Sequence, residues 1–455
     1  MTTTDDAYRA ALALIRDRSF AARGFISDPL AGDAAARLGL RRMAALLERL
    51  GRPQDRYGIV HVAGSKGKGS VCAFAAAILG AAGYRVGATM SPHLHSYRER
   101  IAVDGAPVDP ATFAALAVRV AGAVEAMEAA EPGLGRVNAF ELTVAMALDR
   151  FAAVGCDLAV VEVGIGGTLD ATNVIAPLVA AITPVELEHT AVLGATLAEI
   201  ATNKAGIIQA GRPVVVASQA PEALRVIEGV ARERGSPVLL AGRDWTWDGT
   251  WRNFALRGSW GADDGLRLAM PGRHQVENAG VAVAAVRSLA GVGFPVGAAA
   301  IRSGLAAVVL PGRFERVSVG GATVVLDGAH TAAAAAVLAE TVGQEYPARE
   351  SVLVFGTFSD KDPAPMLAAL RSVPGALMAT RPAGPRAASP EVVGAIARTH
   401  GWAVETAGTV AEAVARGLAL AGPRGLVVVT GALATVAEAR LALGLAEADP
   451  PPGDP

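Results

Sequence analysis

Hydrophobic and polar positions follow two rhythms along this chain. From about Ala7 to Leu50, Leu and Ala recur at helical spacing with charges between them, which predicts helix. At Tyr57 the rhythm changes. Tyr57-Gly-Ile-Val-His-Val-Ala63 is a short β-branched run closed by the glycine-rich turn Gly64–Gly69, and the small apolar stretch Ser70–Ala82 reads as the next helix. Further strand-like runs are Arg85–Thr89, Leu158–Val163, Val179–Thr183, Val214–Ala217 and Val238–Leu240, with helix-like sequence between most of them. Asp244–Leu268, rich in Trp, Gly and Asp, reads as a small antiparallel hairpin region or an extended excursion. Helical pattern returns at Glu277–Leu289 and near Val296–Ala307. A second cycle then opens: strand Thr323–Leu326, helix Thr331–Val342, strand Ser351–Phe355 and helix Pro363–Leu370. Strands Ala376–Thr380, Trp402–Glu405 and Gly425–Val429 complete it. Buried strands alternating with helices predict an α/β fold with a mainly parallel sheet. A boundary near Leu310-Pro-Gly-Arg313 divides the chain into domains 1–308 and 309–448, and the Pro-rich tail 449–455 is expected to be disordered.

Composition narrows this picture. Hydrophobic residues are 52% of 455 but aromatics only 5%, so the apolar mass is Ala, Val and Leu. That content excludes a disordered chain, and no Gly-X-Y period allows collagen. Mean hydropathy is +0.38, yet no apolar run reaches the roughly 18 residues a spanning helix needs. Lys and Arg number 41 against 43 Asp and Glu, which argues against a general nucleic-acid or anionic-membrane binder. The start, MTTTDDAYRA, lacks the basic and apolar regions of a secretory signal. Two cysteines, Cys72 and Cys156, are too few for a disulfide framework. A cytoplasmic protein acting on small molecules is expected.

Candidate chemistry concentrates at predicted strand ends. Gly64-Ser-Lys-Gly-Lys-Gly-Ser70 lies between a strand and a helix. Its glycines let backbone N–H groups turn toward an anion, the helix N-terminus adds positive potential, and Lys68 can reach the β- and γ-phosphates. Gly69 separates Lys68 from Ser70, a departure from the strict Walker A form. A Rossmann dinucleotide loop is the rival reading; the central lysine favours a nucleoside triphosphate. Glu162 ends the run Leu158–Val163, opening Glu162-Val-Gly-Ile-Gly-Gly-Thr-Leu-Asp-Ala-Thr-Asn173. A carboxylate at the carboxyl end of a parallel strand faces the ligand crevice, where a Mg²⁺ ligand belongs in phosphoryl transfer. His189 stands at a third strand end, in Ile182-Thr-Pro-Val-Glu-Leu-Glu-His189, and Lys204 follows in Asn203-Lys-Ala-Gly-Ile207.

Taken together these motifs resemble the folylpolyglutamate synthase/dihydrofolate synthase family of the Mur ligase superfamily. The resemblance runs from about Arg41 to Glu438. It is carried by His61-Val-Ala-Gly64 with its loop, Ser91-Pro-His-Leu94, Glu99-Arg-Ile101, Phe140-Glu141, Glu162–Asn173 and Leu187-Glu-His-Thr190. Lys204-Ala-Gly-Ile207, His274-Gln-Val-Glu-Asn278, Pro311-Gly-Arg-Phe-Glu315, Leu326-Asp-Gly-Ala-His330, Phe355-Gly356 with Asp360-Lys-Asp362, and Val429-Thr-Gly431 continue it. The resemblance implies a P-loop ATPase domain followed by a smaller Rossmann-like α/β domain. It also implies an ATP-dependent ligase that phosphorylates a pteroate or folate carboxylate and joins it to L-glutamate. Gly64, Ser65, Gly67, Lys68, Gly69 and Ser70 would hold the phosphates, and Asn278 and Arg313 would contact the nucleotide. Ser91 and Glu162 would bind one Mg²⁺. His189 and Lys204, the latter carbamylated, would place a second. Asp327 and His330 would serve the glutamate side, and Arg100, in the segment beside the pterin substrate, would contact it. A monomer is expected.

The chain also departs from the family pattern. Ser65-Lys66 replaces Thr-Asn, Gly167-Thr168 replaces part of Gly-Gly-Arg, and Glu188-His189 replaces Asp-His. Asn203 stands for Glu, Thr331-Ala332 for Asn-Pro, Ala432 for Ser, and Ala139 opens the usual Phe-Phe-Glu. Two rival readings follow: a ligase for another carboxylate or amino acid, and a non-catalytic nucleotide-binding homologue. A kinase or simple ATPase would leave Leu326–His330 unexplained.

Overall fold

The computed structural model describes residues 3–19, 32–347 and 349–450, with side chains described from residue 37 in the second helix. The chain divides into two compact units, residues 1–268 with 273–308 and 450–455, and residues 269–272 with 309–449.

The first unit is built on eight strands: β1 (Gly58–Ala63), β2 (Val86–Thr89), β3 (Ala102–Val103), β4 (Ala106–Pro107), β5 (Leu158–Glu162), β6 (Val179–Ile182), β7 (Val214–Val216) and β8 (Val238–Leu240). Their order across the sheet is β4-β3-β2-β5-β1-β6-β7-β8. The six strands from β2 to β8 pair in parallel, while β3 and β4 add an antiparallel edge. Both faces of the parallel strands are covered, so they read as continuous apolar runs. Helices Thr4–Asp17, Pro110–Ala130 and Ala139–Ala153 enclose one core with Ile59, Ala159 and Val161. Helices Leu197–Ala205 and Pro221–Glu233 enclose another with Ala63, Ala180, Ile182, Val214 and Val216. The helical stretch expected over Ala7–Leu50 is two helices, Thr4–Asp17 and Gly32–Arg49, and the residues between 20 and 31 lie outside the described residues.

The Trp-rich excursion is a three-stranded antiparallel meander of β9 (Trp245–Thr250), β10 (Asn253–Gly258) and β11 (Gly261–Leu266). Its third strand carries a buried aspartate, Asp263, where alternation calls for an apolar residue. Arg287 of the helix Arg273–Ser288 neutralises it. The same helix meets Trp245 closely: a Cβ at Gly280 would lie 2.3 Å from the indole.

The second unit has strands β12 (Glu315–Val319), β13 (Ala322–Leu326), β14 (Ser351–Gly356), β15 (Gly375–Thr380), β16 (Val404–Thr406) and β17 (Leu426–Thr430), ordered β12-β13-β17-β14-β15-β16. Only β12 is antiparallel. Helices Ala332–Glu345, Ala364–Leu370 and Pro390–Thr399 cover one face, and Val410–Ala421 and Leu433–Ala442 the other. This is a doubly wound, Rossmann-like arrangement. The strand expected at Trp402–Glu405 begins two residues later, because Trp402 leaves the strand line and donates its indole N–H to the Leu367 carbonyl (3.3 Å). Of the tail expected to be disordered, residues 451–455 lie outside the described residues, while Pro450 accepts a hydrogen bond from Arg16 (2.9 Å).

Candidate active site

The glycine-rich turn leaves the carboxyl end of β1 and enters the helix Lys68–Ala81. Two of its glycines are required by the backbone. Gly64 has φ +142° and lies against Thr183, whose Oγ1 would be 1.8 Å from an added Cβ. Gly67 has φ +89°, and a Cβ there would stand 2.3 Å from Asn278 Oδ1. Side chains are thus excluded where the loop amides curve over the N-terminus of a 14-residue helix, an arrangement suited to an anion. Asn278 is buried against this loop, with its Nδ2 donating to Gln275 (3.1 Å).

The loop is held from beneath by charge. Lys204, from the helix Leu197–Ala205, is 1% exposed; its Nζ donates to the Gly64 carbonyl (2.9 Å) and to Glu188 Oε1 (2.8 Å). Lys68 Nζ donates to the same carbonyl (3.0 Å). Burial pulls the Lys204 ammonium down to about 8, against the opposing pull of Glu188. Burial alone would raise the Glu188 carboxyl, but Lys204 and Lys68 overcome it and hold Glu188 below its ordinary value. Ser65 anchors the loop sideways: its amide donates to the Pro184 carbonyl (2.9 Å), and its hydroxyl exchanges hydrogen bonds with the Glu186 backbone (2.9 and 3.1 Å). Ser70 is buried in the first helical turn, and Gly69 passes 3.9 Å from the Glu162 carboxylate, measured from an ideal Cβ. His189 has φ +47° and opens the short turn Thr190–Leu193. Partial burial of its ring lowers its pKa, with Glu188 opposing, so the imidazole is neutral near pH 7 and can act as a donor ligand.

Glu162 ends β5, and its Oε2 accepts the Ser91 amide (2.8 Å). Among the described residues no three His, Cys, Asp or Glu side chains gather into a metal cage. That donor set still suits Mg²⁺, which keeps several waters and takes one or two protein oxygens together with phosphate. The Glu162 carboxylate beside Ser91 supplies hard oxygen donors of that kind.

The turn after β5 is braced internally. Asp170 accepts the Ile165 amide (3.0 Å), the Thr172 amide (2.9 Å) and the Thr172 hydroxyl (2.6 Å). Thr172 Oγ1 in turn meets buried His61 Nε2 (2.9 Å). Phe140 packs on the turn, its ring 2.5 Å from where a Cβ on Gly164 would be. Sequence reasoning gave neither His61 nor Asp170 a role of its own. The available signal was a histidine in the middle of an otherwise apolar buried strand.

A further cluster follows Ser91. Glu99 gathers three consecutive amides, Leu94 (2.7 Å), His95 (2.9 Å) and Ser96 (2.9 Å), and so folds the segment before the 3-10 helix Tyr97–Arg100. Arg100 is buried, donates Nε–H to His93 Nδ1 (2.9 Å), and lies over the Tyr97 ring at 5.2 Å. Burial lowers its pKa, but the guanidinium stays charged, in the field of Glu162 and Glu99.

In the second unit, Arg313, Asp327 and His330 gather at the carboxyl end of β13. Asp327 accepts the Phe314 amide (2.8 Å) and the Ala329 amide (2.9 Å). Burial raises its carboxyl, and Arg313 opposes the rise. His330 Nδ1 meets the Gly328 carbonyl (2.8 Å).

Two family models match the chain: the Mur ligase middle domain over residues 62–286, and the Mur ligase glutamate ligase domain over residues 312–433. A dihydrofolate synthase/folylpolyglutamate synthase of Mycobacterium tuberculosis is 38% identical over 375 residues, 78% of this chain and 76% of the relative. The chain belongs to the folylpolyglutamate synthase/dihydrofolate synthase family. A crystal structure of Mycobacterium tuberculosis folylpolyglutamate synthase complexed with ADP and AMPPCP shares the fold of this family member, with a TM-score of 0.86 at 33% identity over 97% of this chain and 99% of that one. Another member of the family, a probable bifunctional folylpolyglutamate synthase/dihydropteroate synthase of Halobacterium salinarum, is 40% identical over 88% of this chain. The chain spans about half of that relative's length (49%).

Proposed function

We propose that this family member is a Mg²⁺- and ATP-dependent ligase joining L-glutamate to the carboxylate of a pteroate or folate. The observation that carries the reading is the glycine loop with Lys68 at a helix N-terminus, beside the paired Ser91 and Glu162, in a chain with a glutamate ligase domain. The acceptor's carboxylate oxygen attacks the γ-phosphorus and ADP leaves. The glutamate amine then attacks the acyl carbon, a proton leaves the nitrogen, and inorganic phosphate departs. Phosphoryl transfer needs mainly positioning and charge neutralisation. The loop amides and Lys68 bind the phosphates, with Asn278 and Arg313 assigned to the rest of the nucleotide. Ser91 and Glu162 would hold Mg²⁺, which would supply charge neutralisation at the β- and γ-oxygens. Neutral His189 suits a second ion. For a carbamylated Lys204, the lowered pKa favours the modification, and the Glu188 carboxylate 2.8 Å away opposes it. Arg100 suits the anionic acceptor, since guanidinium matches carboxylate geometry. Asp327 is spent on backbone amides, so within its own unit it shapes the turn that presents His330. The substrates are small molecules, and a monomer in the cytoplasm suffices. Among the described residues no helix is long and apolar enough to cross a membrane.

The Mycobacterium relative, named dihydrofolate synthase/folylpolyglutamate synthase and matched over 76% of its length, supports a pteroate- or folate-type acceptor. ADP release measured with dihydropteroate, dihydrofolate or tetrahydrofolate, each with L-glutamate, tests the reading. Stimulation by at least one acceptor is expected, and loss of it in Glu162→Ala. Silence with every acceptor, in a protein that binds ATP, overturns it in favour of a different carboxylate or a non-catalytic homologue.

A further inference from the structure

The first helix, Thr4–Asp17, holds none of the residues assigned to phosphate, metal or substrate, yet it reaches the segment that carries Arg100. Tyr8 is buried, with its ring edge-on to Phe113 at 5.5 Å, and its hydroxyl lies 3.2 Å from Ser96 Oγ. Ser96 Oγ also accepts the backbone N–H of Arg98 (3.2 Å) and the Arg98 side-chain Nε–H (3.2 Å). A serine hydroxyl has two acceptor lone pairs and one hydrogen. Either hydroxyl can donate across the Tyr8–Ser96 contact, so the two side chains are tied whichever of them carries the shared hydrogen. Arg98 adds a second hold, its guanidinium 5.8 Å from the Tyr8 ring centre. Ser96 caps the single helical turn Tyr97–Arg100, and Arg100 is the last residue of that turn. Nε of Arg100 is taken by His93, and its two terminal amino groups make no hydrogen bond among the described residues. Neither amino group is sealed from solvent. A mostly buried guanidinium with two open amino groups is a fixed carboxylate fork, and its aim depends on the turn that bears it.

We propose that Tyr8 is a positioning residue for the acceptor: through Ser96 it fixes the turn Tyr97–Arg100 and so aims Arg100. This rests on the ligase reading above. The first helix thereby becomes part of acceptor recognition rather than only a cover for the core.

The test uses the full chain and the variants Tyr8→Phe, Ser96→Ala, their combination, and Ser96→Thr, which keeps a hydroxyl. Tyr8→Phe preserves the buried ring and its packing, so the protein folds. Two readouts are taken: amide hydrogen exchange of residues 94–101, and KM for acceptor and for ATP separately. Tyr8→Phe and Ser96→Ala should each speed exchange in that segment and raise the acceptor KM roughly three- to tenfold, the worth of one buried hydrogen bond. KM for ATP should not move. The double variant should be no worse than the poorer single one, because both remove the same bond, and Ser96→Thr should return toward wild type. Unchanged exchange, an equal rise in the ATP KM, or additive effects in the double variant would overturn the proposal. A wild type inert with every acceptor overturns the ligase reading instead, and the exchange measurement then decides whether Tyr8 holds the turn.

Discussion

Single side chains in the candidate nucleotide site make separable predictions. Lys68 is the one loop lysine placed at the helix N-terminus with its amine directed back onto the loop, so Lys68→Ala should cut ATP turnover by about 100-fold or more while thermal unfolding stays near wild type. Turnover within a few-fold of wild type would refute its phosphate role. Gly67→Ala forces a methyl group against Asn278 at a positive φ, and calorimetry should show nucleotide binding weakened by about tenfold or more. His61 gives a pH signature of its own. Burial pulls its pKa from 6.5 to about 3 in the fold. Between those values the unfolded chain takes up a proton that the folded one refuses. The contribution to stability is therefore whole above pH 6.5 and shrinks as pH falls toward 3. At about 1.4 kcal/mol per pH unit, wild type should lose about 2 kcal/mol more than His61→Gln between pH 6.5 and 5 in urea titrations. Parallel curves for the two proteins would show that His61 is protonated in the fold.

Elements that the chain's pattern announces are those with one dominant physical cause. β1, β5, β6 and β17 are buried on both faces and stand out as apolar runs. β12 is an edge strand with alternate residues exposed, and β11 hides a paired aspartate, so neither produces an apolar signal. The site was legible in the same uneven way. Lys204 by itself reads as a surface helix lysine and is singled out only by the family resemblance. The glycine loop and Glu162 declare themselves because their residue types are costly to place at a strand end without a reason. Tyr8 does not, because a tyrosine on a helix face is ordinary, and its link to Ser96 spans 88 positions of sequence. Nor does the partnership of Lys204 with Glu188, which joins a helix to a loop. Breaking that partnership should be felt by the whole phosphate-loop region: Glu188→Gln leaves a buried ammonium with neutral acceptors but no counter-charge, and stability should fall by about 3 kcal/mol in denaturant titration. Lys204→Met in the same background should restore much of it. A Glu188→Gln protein as stable as wild type would mean that Lys204 finds another counter-charge.

At the scale of the molecule, the second unit has a six-stranded sheet with an apolar core on each face, which is what an independently folding domain requires. A fragment of residues 309–449 should therefore unfold cooperatively by circular dichroism, and a broad, non-cooperative melt would show that it needs the rest of the chain. In the first unit, the carbonyl of Gly64 is shared by two ammonium groups, Lys68 and Lys204. Were Lys68 drawn to a phosphate, as proposed, that oxygen would still have Lys204, so no acceptor would be stranded. Empty and loaded loops would then differ little in internal energy. On that proposal the loop waits in its working shape, and little of ATP's affinity would be consumed in rearranging it.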